Sequence, residues 1–536
     1  MSPSRTSLFL ALTLSMHHAS AHSHPTQHAP GAPAGIPSTA FKPAVDCSTL
    51  KKYDPQWASR GDNYGLIPDQ KSQTPAAKTK ASRRAEPVYI SGFYQLQEHA
   101  GTLYATFGGK MVPGVTPGAL VALDADSLSF KRAIPLPFAA HALDISKDGQ
   151  HAVVTHTHVN AFSLIDLASG TSRCRKADTA VEGKSYRGRY VRMDDDGNFY
   201  INYNVFDTRQ YPGYIMKYTS AGEHAPGFSL HSVGVGSVIP LQLWQGQLLT
   251  GSHQLVSVNP DTGAVTPETS IDDTVNVYNY TPGPGKQLLA NTFNVSAQPN
   301  LLLIDPATGS RSSLLTGSGS VEIGYSPESG QVFSTNYESR TVTVAALPAT
   351  SAAFTPGQFL NIAFQDAPSN LHVRHNSKGT DIYLTTKNWE SANATRGALL
   401  HRVHIAPDVQ GISGLSRPGA CVVSTFDMTH RTVSDPVPCQ LLDTSATWKA
   451  EYARAQRKIP ELEKNQRDAV QQQKAVDAAL KKAISMARKH PGSRSQQAVK
   501  EAQQAVKEMQ AWQTYLSKEL PKARHSLPVF KRMAGQ

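Results

Sequence analysis

Short runs of alternating apolar and polar residues, each about four to eight long, follow one another along most of this chain and are punctuated by turn residues. The stretch "LLLIDPATG" (301–309) is one such run, ending in a tight turn. It has near copies in "LVALDADS", "FSLIDLASG", "IMKYTSAG" and "LVSVNPDTG" before it and "VTVAALPAT" after it. In the four that end in glycine, Gly170, Gly222, Gly263 and Gly309 stand 52, 41 and 46 residues apart. Self-similarity near such a period marks a repeat architecture.

A unit reads as an inner strand, a turn, a second strand, a polar loop, a third strand of the "LLLID" kind, a turn and an outer strand. The first two strands recur as "YQLQEHAGTLYATF", "HALDISKDGQHAVVTH", "RYVRMDDDGNFYINY", "PLQLWQGQLLTG", "YNYTPGPGKQLLAN", "EIGYSPESGQVFSTN" and "NIAFQDAPSNLHVRHNSKGTDIYLTT", giving seven units. Four-stranded units at this spacing predict a mainly β chain folded as a seven-bladed β-propeller over residues 86–407, since radial packing of sheets leaves no long exposed edge. "EPVYI" is available as a closing strand for the last blade. The acidic run "MDDDG" falls on a turn between strands and reads as a solvated turn.

The pattern changes after Cys439. Residues 446–526 are rich in Ala, Gln, Lys and Glu, good helix formers, and are split by the turn "HPGSRS". Leu462, Ala469, Val476, Leu480 and Ala483 make a weak apolar seam on the first segment. Val499, Ala502, Val506, Met509 and Leu516 make a clearer one on the second. These features predict a coiled-coil-like helical hairpin with Pro460 near a helix start, followed by a tail at 527–536. Residues 408–445 are left as a disulfide-linked connector.

At the other end, "MSPSRTSLFLALTLSMHHASA" has a positive residue, a short apolar core and a small-residue cleavage site, the features of a secretory signal peptide over 1–21. No later stretch is long and apolar enough to span a membrane. The expected location is therefore secreted or periplasmic. Residues 22–85, rich in Pro, Ala, His, Ser and Lys, read as an extended, mostly disordered leader pinned only around Cys47.

The net charge of +11 suggests nucleic acid until it is located. From 446 to 536 there are 19 Lys and Arg against 8 Asp and Glu, and the rest of the chain holds 33 of each. The basic character belongs to the hairpin alone. Its few aromatics suit unspecific attachment to an anionic envelope component or to nucleic acid better than base readout. Four cysteines, Cys47, Cys174, Cys421 and Cys439, allow three pairings. Loop closure favours Cys421 with Cys439, which leaves Cys47 for Cys174.

Two motifs carry a resemblance. "SPESGQVFSTNYESRTVTV" is similar to the YVTN-type repeat, and the order of units from "GTLYATFGG" to "GTDIYLTTKN" resembles the YncE-like periplasmic propellers over about residues 86–407. The resemblance implies an exported binding-type propeller and supplies no catalytic motif. "IMKYTSAG" and "AALPAT" depart from the repeat.

In a propeller, the start of the first strand and the end of the second gather at one mouth of the central channel. The residues placed there are His141, Arg189, Tyr190, Glu322 and Asn361 on the first side, and His156, His158, Asn202, His253, Asn291, Asn336 and Lys387 on the second. Such a ring suits a small polar ligand or a loop of a protein partner. Two further readings stand beside it. One is a lactonase- or dehydrogenase-type enzyme assembled from scattered loops, since no local catalytic motif such as G-x-S-x-G or H-E-x-x-H occurs. The other is a copper- or nickel-handling protein: cleavage after "ASA" exposes His22-Ser23-His24, whose amine, amides and imidazole match square-planar copper or nickel.

Overall fold

The computed structural model describes residues 45–47, 92–108, 118–156, 161–177, 186–205, 212–225, 228, 231–235, 240–251, 254–270, 277–293, 297–387, 399–428 and 430–536. The expected signal peptide, the histidines His22 and His24, and the stretch "EPVYI" lie outside them.

Seven antiparallel sheets account for residues 93–427, each with four core strands consecutive in sequence: 93–136, 140–176, 186–235, 241–270, 277–314, 320–363 and 367–427. We call them blades 1 to 7. The first strand of each blade neighbours the first strand of the next, and Ala367–Asn376 of blade 7 returns to Phe93–His99 of blade 1. The ring is closed, and the fold is a seven-bladed β-propeller. Successive side chains on a strand point to opposite faces, so each blade buries one set of apolar residues against each neighbour. Phe93, Leu96, Phe107, Tyr383, Leu400 and Phe426 fill the space between blades 7 and 1. Phe162, Val191, Phe199 and Tyr218 do the same between blades 2 and 3.

The recurring turn has a local cause. Asp124, Asp166, Asn259 and Asp305, the last residue of the third-strand motif, each turn a side-chain oxygen back onto backbone N–H groups two or three residues on, at 2.8–3.1 Å. Gly170, Gly263 and Gly309 then take φ of 74°, 74° and 71°, a conformation that costs glycine little and other residues more. Asp194 of "MDDDG" is used in the same way, accepting from the Asp196 and Asn198 N–H groups at 3.1 and 2.8 Å.

Blade 7 runs past the expected boundary at 407. Its fourth strand is Cys421–Asp427, which pairs with Leu399–Ile405, so the position proposed for "EPVYI" is filled from the C-terminal side. Among the described residues, no strand from one end of the ring joins the sheet of the other. Side chains join the seam instead: the Tyr383 hydroxyl donates to the Ala125 carbonyl at 2.9 Å, and Arg374 of blade 7 pairs with Asp126 of blade 1. Beneath them Asp381 accepts from Arg374, Arg402 and His404 at 2.6, 2.8 and 2.8 Å.

Several outer edges are covered, which blunts an aggregation hazard. Val45–Asp46 adds a strand to blade 2 beside the Cys47–Cys174 disulfide. Leu441–Leu442 adds one to blade 6. Val437–Pro438 pairs with the last strand of blade 7 beside the Cys421–Cys439 disulfide.

The C-terminal unit consists of helices α1 (Thr444–Lys489) and α2 (Ser493–Met533). Leu462, Ala469, Val476, Met509, Leu516 and Leu520 form their shared buried seam. Pro460 lies well inside α1 rather than near its start, and α2 continues through Pro528 past the boundary expected at 526. A proline forfeits one backbone hydrogen bond, and in both places the helix persists on either side of it. Among the described residues no helix is long and apolar enough to cross a membrane.

Candidate functional site in the central channel

Six of the seven first strands slip register against their second strand, between Phe93 and Leu96, Ala140 and Leu143, Gly188 and Tyr190, Val277 and Asn279, Ser320 and Ile323, and Pro368 and Leu371. Among the described residues, blade 4 alone pairs without a slip. A bulge leaves an extra residue whose N–H has no ladder partner, and re-aims a side chain. In four blades a threonine of the second strand meets that need. Thr106, Thr155, Thr335 and Thr385 accept from Gln95, Ala142, Glu322 and Asn370 N–H at 2.9–3.1 Å. Thr106 and Thr335 also donate to the next blade, to the His141 and Ser369 carbonyls at 2.6 and 2.7 Å. The same hydroxyl thus holds the bulge and links neighbouring blades.

The residues so aimed meet across the axis. The Glu322 carboxylate of blade 6 accepts from the Asn279 amide of blade 5 and, at 3.2 Å, from the Asn370 amide of blade 7. Arg192 of blade 3 acts on Glu322 and on Asp144 of blade 2 through its charge. Tyr190 of blade 3 reaches past blade 4 to donate to the Tyr278 carbonyl of blade 5 at 3.2 Å. Asp144 in turn accepts from the Met193 N–H at 2.6 Å.

Electrostatics follow from this enclosure. Burial raises the Glu322 carboxyl to about 7, although Arg192 and the Asn370 amide favour its charged form. Burial also raises Asp144 against the pull of Arg192, and pushes the Tyr190 hydroxyl well above its ordinary value. His372, on the first strand of blade 7, is lowered to about 4 by burial and by the Arg374 charge, and is neutral at pH 7. A carboxyl near 7 offers both a donor and an acceptor state at neutral pH. With a guanidinium opposite and amides beside it, the cluster is equipped for a small polar or anionic group.

The residues expected at the mouth divide into three sets. His141, Arg189, Tyr190 and Glu322 stand on first strands at the bulges, where His141 packs against Tyr94 with ring centroids 5.3 Å apart. Asn202 and Asn291 are buried on second strands, and Asn291 donates to the Ser320 hydroxyl at 3.0 Å.

His156, Asn336 and Asn361 are fully buried and serve the framework. His156 bonds the Ser163 hydroxyl at 2.8 Å and packs on Phe138, and burial lowers it to about 4. Asn336 accepts from Asn300 at 2.9 Å and donates to Thr343 at 2.8 Å. Asn361 belongs to the outer strand of blade 6, not to the first strand of blade 7, and donates to the Thr316 carbonyl at 2.7 Å. A buried amide is stable only with such partners, so these positions have a structural reason to be polar. His158 and His253 lie outside the described residues, as does the Lys387 side chain.

Asp144, Arg192, Asn279 and Asn370 were missed by sequence reading. Their signal is a polar residue within an otherwise apolar strand, as in "ALDIS", "RYVRM", "YNYT" and "SNLHV". No group of three or more candidate metal ligands occurs among the described residues.

No protein-family model matches the chain, and no curated protein matches it in sequence. Among solved structures it is similar to the Kuenenia stuttgartiensis hydrazine synthase at 13% identity and TM-score 0.43, over 62% of this chain and 99% of that one. It is similar to the dihydro-heme d1 dehydrogenase NirN at 13% identity and TM-score 0.36, over 62% and 74%. A calcium-binding regucalcin from Agrobacterium tumefaciens aligns at 13% identity and TM-score 0.32, over 50% and 86%. The class of protein is thus a seven-bladed propeller with a helical hairpin, and that assignment rests on the closed ring of strands.

Proposed function

We propose that this is an exported, non-enzymatic binding propeller of the YncE-like, YVTN-repeat type. Its axial polar cluster holds a small polar ligand or a short segment of a protein partner. The observation that carries this reading is the convergence of the Asn279 and Asn370 amides, from the blades on either side, on the Glu322 carboxylate, with the Arg192 charge set against it. A purely structural channel needs polar residues; it does not need a carboxyl poised near neutrality. The two disulfides fit an oxidising compartment. The basic hairpin would attach the protein to an anionic envelope component.

One observation favours an enzyme as the second reading: a carboxyl near 7 is suited to general acid–base work. Native mass spectrometry on protein from the exported fraction tests both. A co-purifying small molecule or peptide, lost in Glu322→Gln and in Arg192→Ala, is the expected result. Retention by both variants overturns the axial site. Chemical conversion of the bound molecule on incubation, without any added partner, replaces the binder by the enzyme.

A further inference from the structure

A second concavity, of about 700 Å³, lies at the ends of the strands where the first–second and third–fourth turns of blades 4 to 6 project. Its volume is within the range of small-molecule sites, roughly 300–1,000 Å³. Trp244, the last residue of the blade 4 first strand, stands in its wall, half-buried against the cluster that contains Leu249. The next two residues, Gln245 and Gly246, take φ of 49° and 76° and turn the chain back so that Trp244 pairs with Gln247. The side chains of Gln245, Gln247 and Lys286 line the same concavity. None of the three, nor the Trp244 indole N–H, makes a hydrogen bond or ion pair among the described residues.

Two other lining groups are fixed. Gln287 donates to the Ala352 carbonyl at 3.3 Å, tying blade 5 to blade 6. The Asp305 carboxylate accepts from Ala307 N–H and from the Thr308 hydroxyl, both at 2.9 Å, and these bonds hold it below its ordinary value. The one cation and the one carboxylate balance each other.

We propose that this groove is a binding site for a neutral saccharide. A pyranose ring has an apolar C–H face and a rim of hydroxyls that both donate and accept. The Trp244 indole offers a flat apolar surface with a polar tip, and glutamine amides both donate and accept in one plane. An anion would meet Asp305 as well as Lys286. A purely apolar ligand would leave the amides covered and unpaired, which costs binding energy. This inference is independent of the channel, because it rests on different residues at the turn ends of the blades.

The test is titration of the full chain with maltotriose, cellotriose and triacetylchitotriose in turn, read by tryptophan fluorescence and calorimetry. Saturable binding of at least one of them is expected. Trp244→Ala should weaken it by about tenfold or more, the equivalent of about 1.4 kcal/mol. Gln247→Ala, at a partly exposed turn position, should weaken it several-fold with an unchanged melting curve. Absence of saturable binding to all three sugars, or wild-type affinity in Gln247→Ala together with Trp244→Ala, overturns the proposal. If Trp244→Ala fails to fold, wild-type affinity in Gln247→Ala and in Gln245→Ala overturns it alone.

Discussion

Replacing Asp381 by asparagine should destabilise blade 7 on its side of the seam with blade 1. Asp381 is almost fully buried, with 1% of its side chain exposed, and it accepts from Arg374, Arg402 and His404. The two arginines are themselves only 12% and 15% exposed. Removing one partner of a buried ion pair costs about 3–5 kcal/mol, because the remaining charge is stranded away from water. Arg374 keeps Asp126, which offsets part of the loss, so about 3 kcal/mol is expected. That is more than a hundredfold in the unfolding equilibrium. The sign of the pH dependence is fixed. Burial alone would raise the Asp381 carboxyl, but the hydrogen bonds from His404, Arg402 and Arg374 outweigh it and hold the carboxyl below its ordinary 3.8. Its stabilisation is complete above the ordinary carboxylate range and fades as pH falls below about 4. Urea unfolding of wild type and Asp381→Asn at pH 7 and at pH 3 measures the gap, and hydrogen exchange in the strands of blades 7 and 1 localises it. An unchanged urea midpoint at pH 7 refutes the argument, as does a gap that stays the same at pH 3.

Glu322 should behave with the opposite sign. Its carboxyl is raised to about 7 by burial, so the folded state holds the proton more tightly and loses stability as pH rises through 7; Glu322→Gln should flatten that slope between pH 5 and 8 in thermal melts. Removing the Cys421–Cys439 bridge, 18 residues apart, should cost about 3 kcal/mol, and removing Cys47–Cys174, 127 apart, about 4–5; paired serine variants compared by urea denaturation check the order. Gly379 has φ of 126°, and a Cβ there would collide with the Ile405 carbonyl. Gly379→Ala should therefore destabilise blade 7 by more than about 1 kcal/mol, and an unchanged melting temperature would contradict the strain.

The sequence by itself determined whatever depends on neighbours along the chain. "LLLIDPATG" and its copies state both the strand and the turn, because an Asp or Asn side chain that caps the turn and, in three of them, a glycine four residues later are enough to form it. Seven such units imply a ring, since only radial closure buries all their apolar faces. The helical seam was legible for the same reason, as Leu462, Ala469, Val476, Met509 and Leu516 repeat at helical spacing. Tertiary structure alone decided which polar residues share a space. Asn361 and Asn336 look like mouth residues in sequence and are framework amides in the fold. Asp144, Arg192 and Asn370 look like isolated polar residues in strands, yet Arg192 acts on Asp144 and Glu322, and Asn370 binds Glu322, once the ring closes. The physical reason is distance along the chain. Asn279 and Asn370 are more than 40 residues from Glu322 in sequence and reach its carboxylate only when consecutive blades pack side by side, and no local pattern records which side chains of neighbouring first strands will meet.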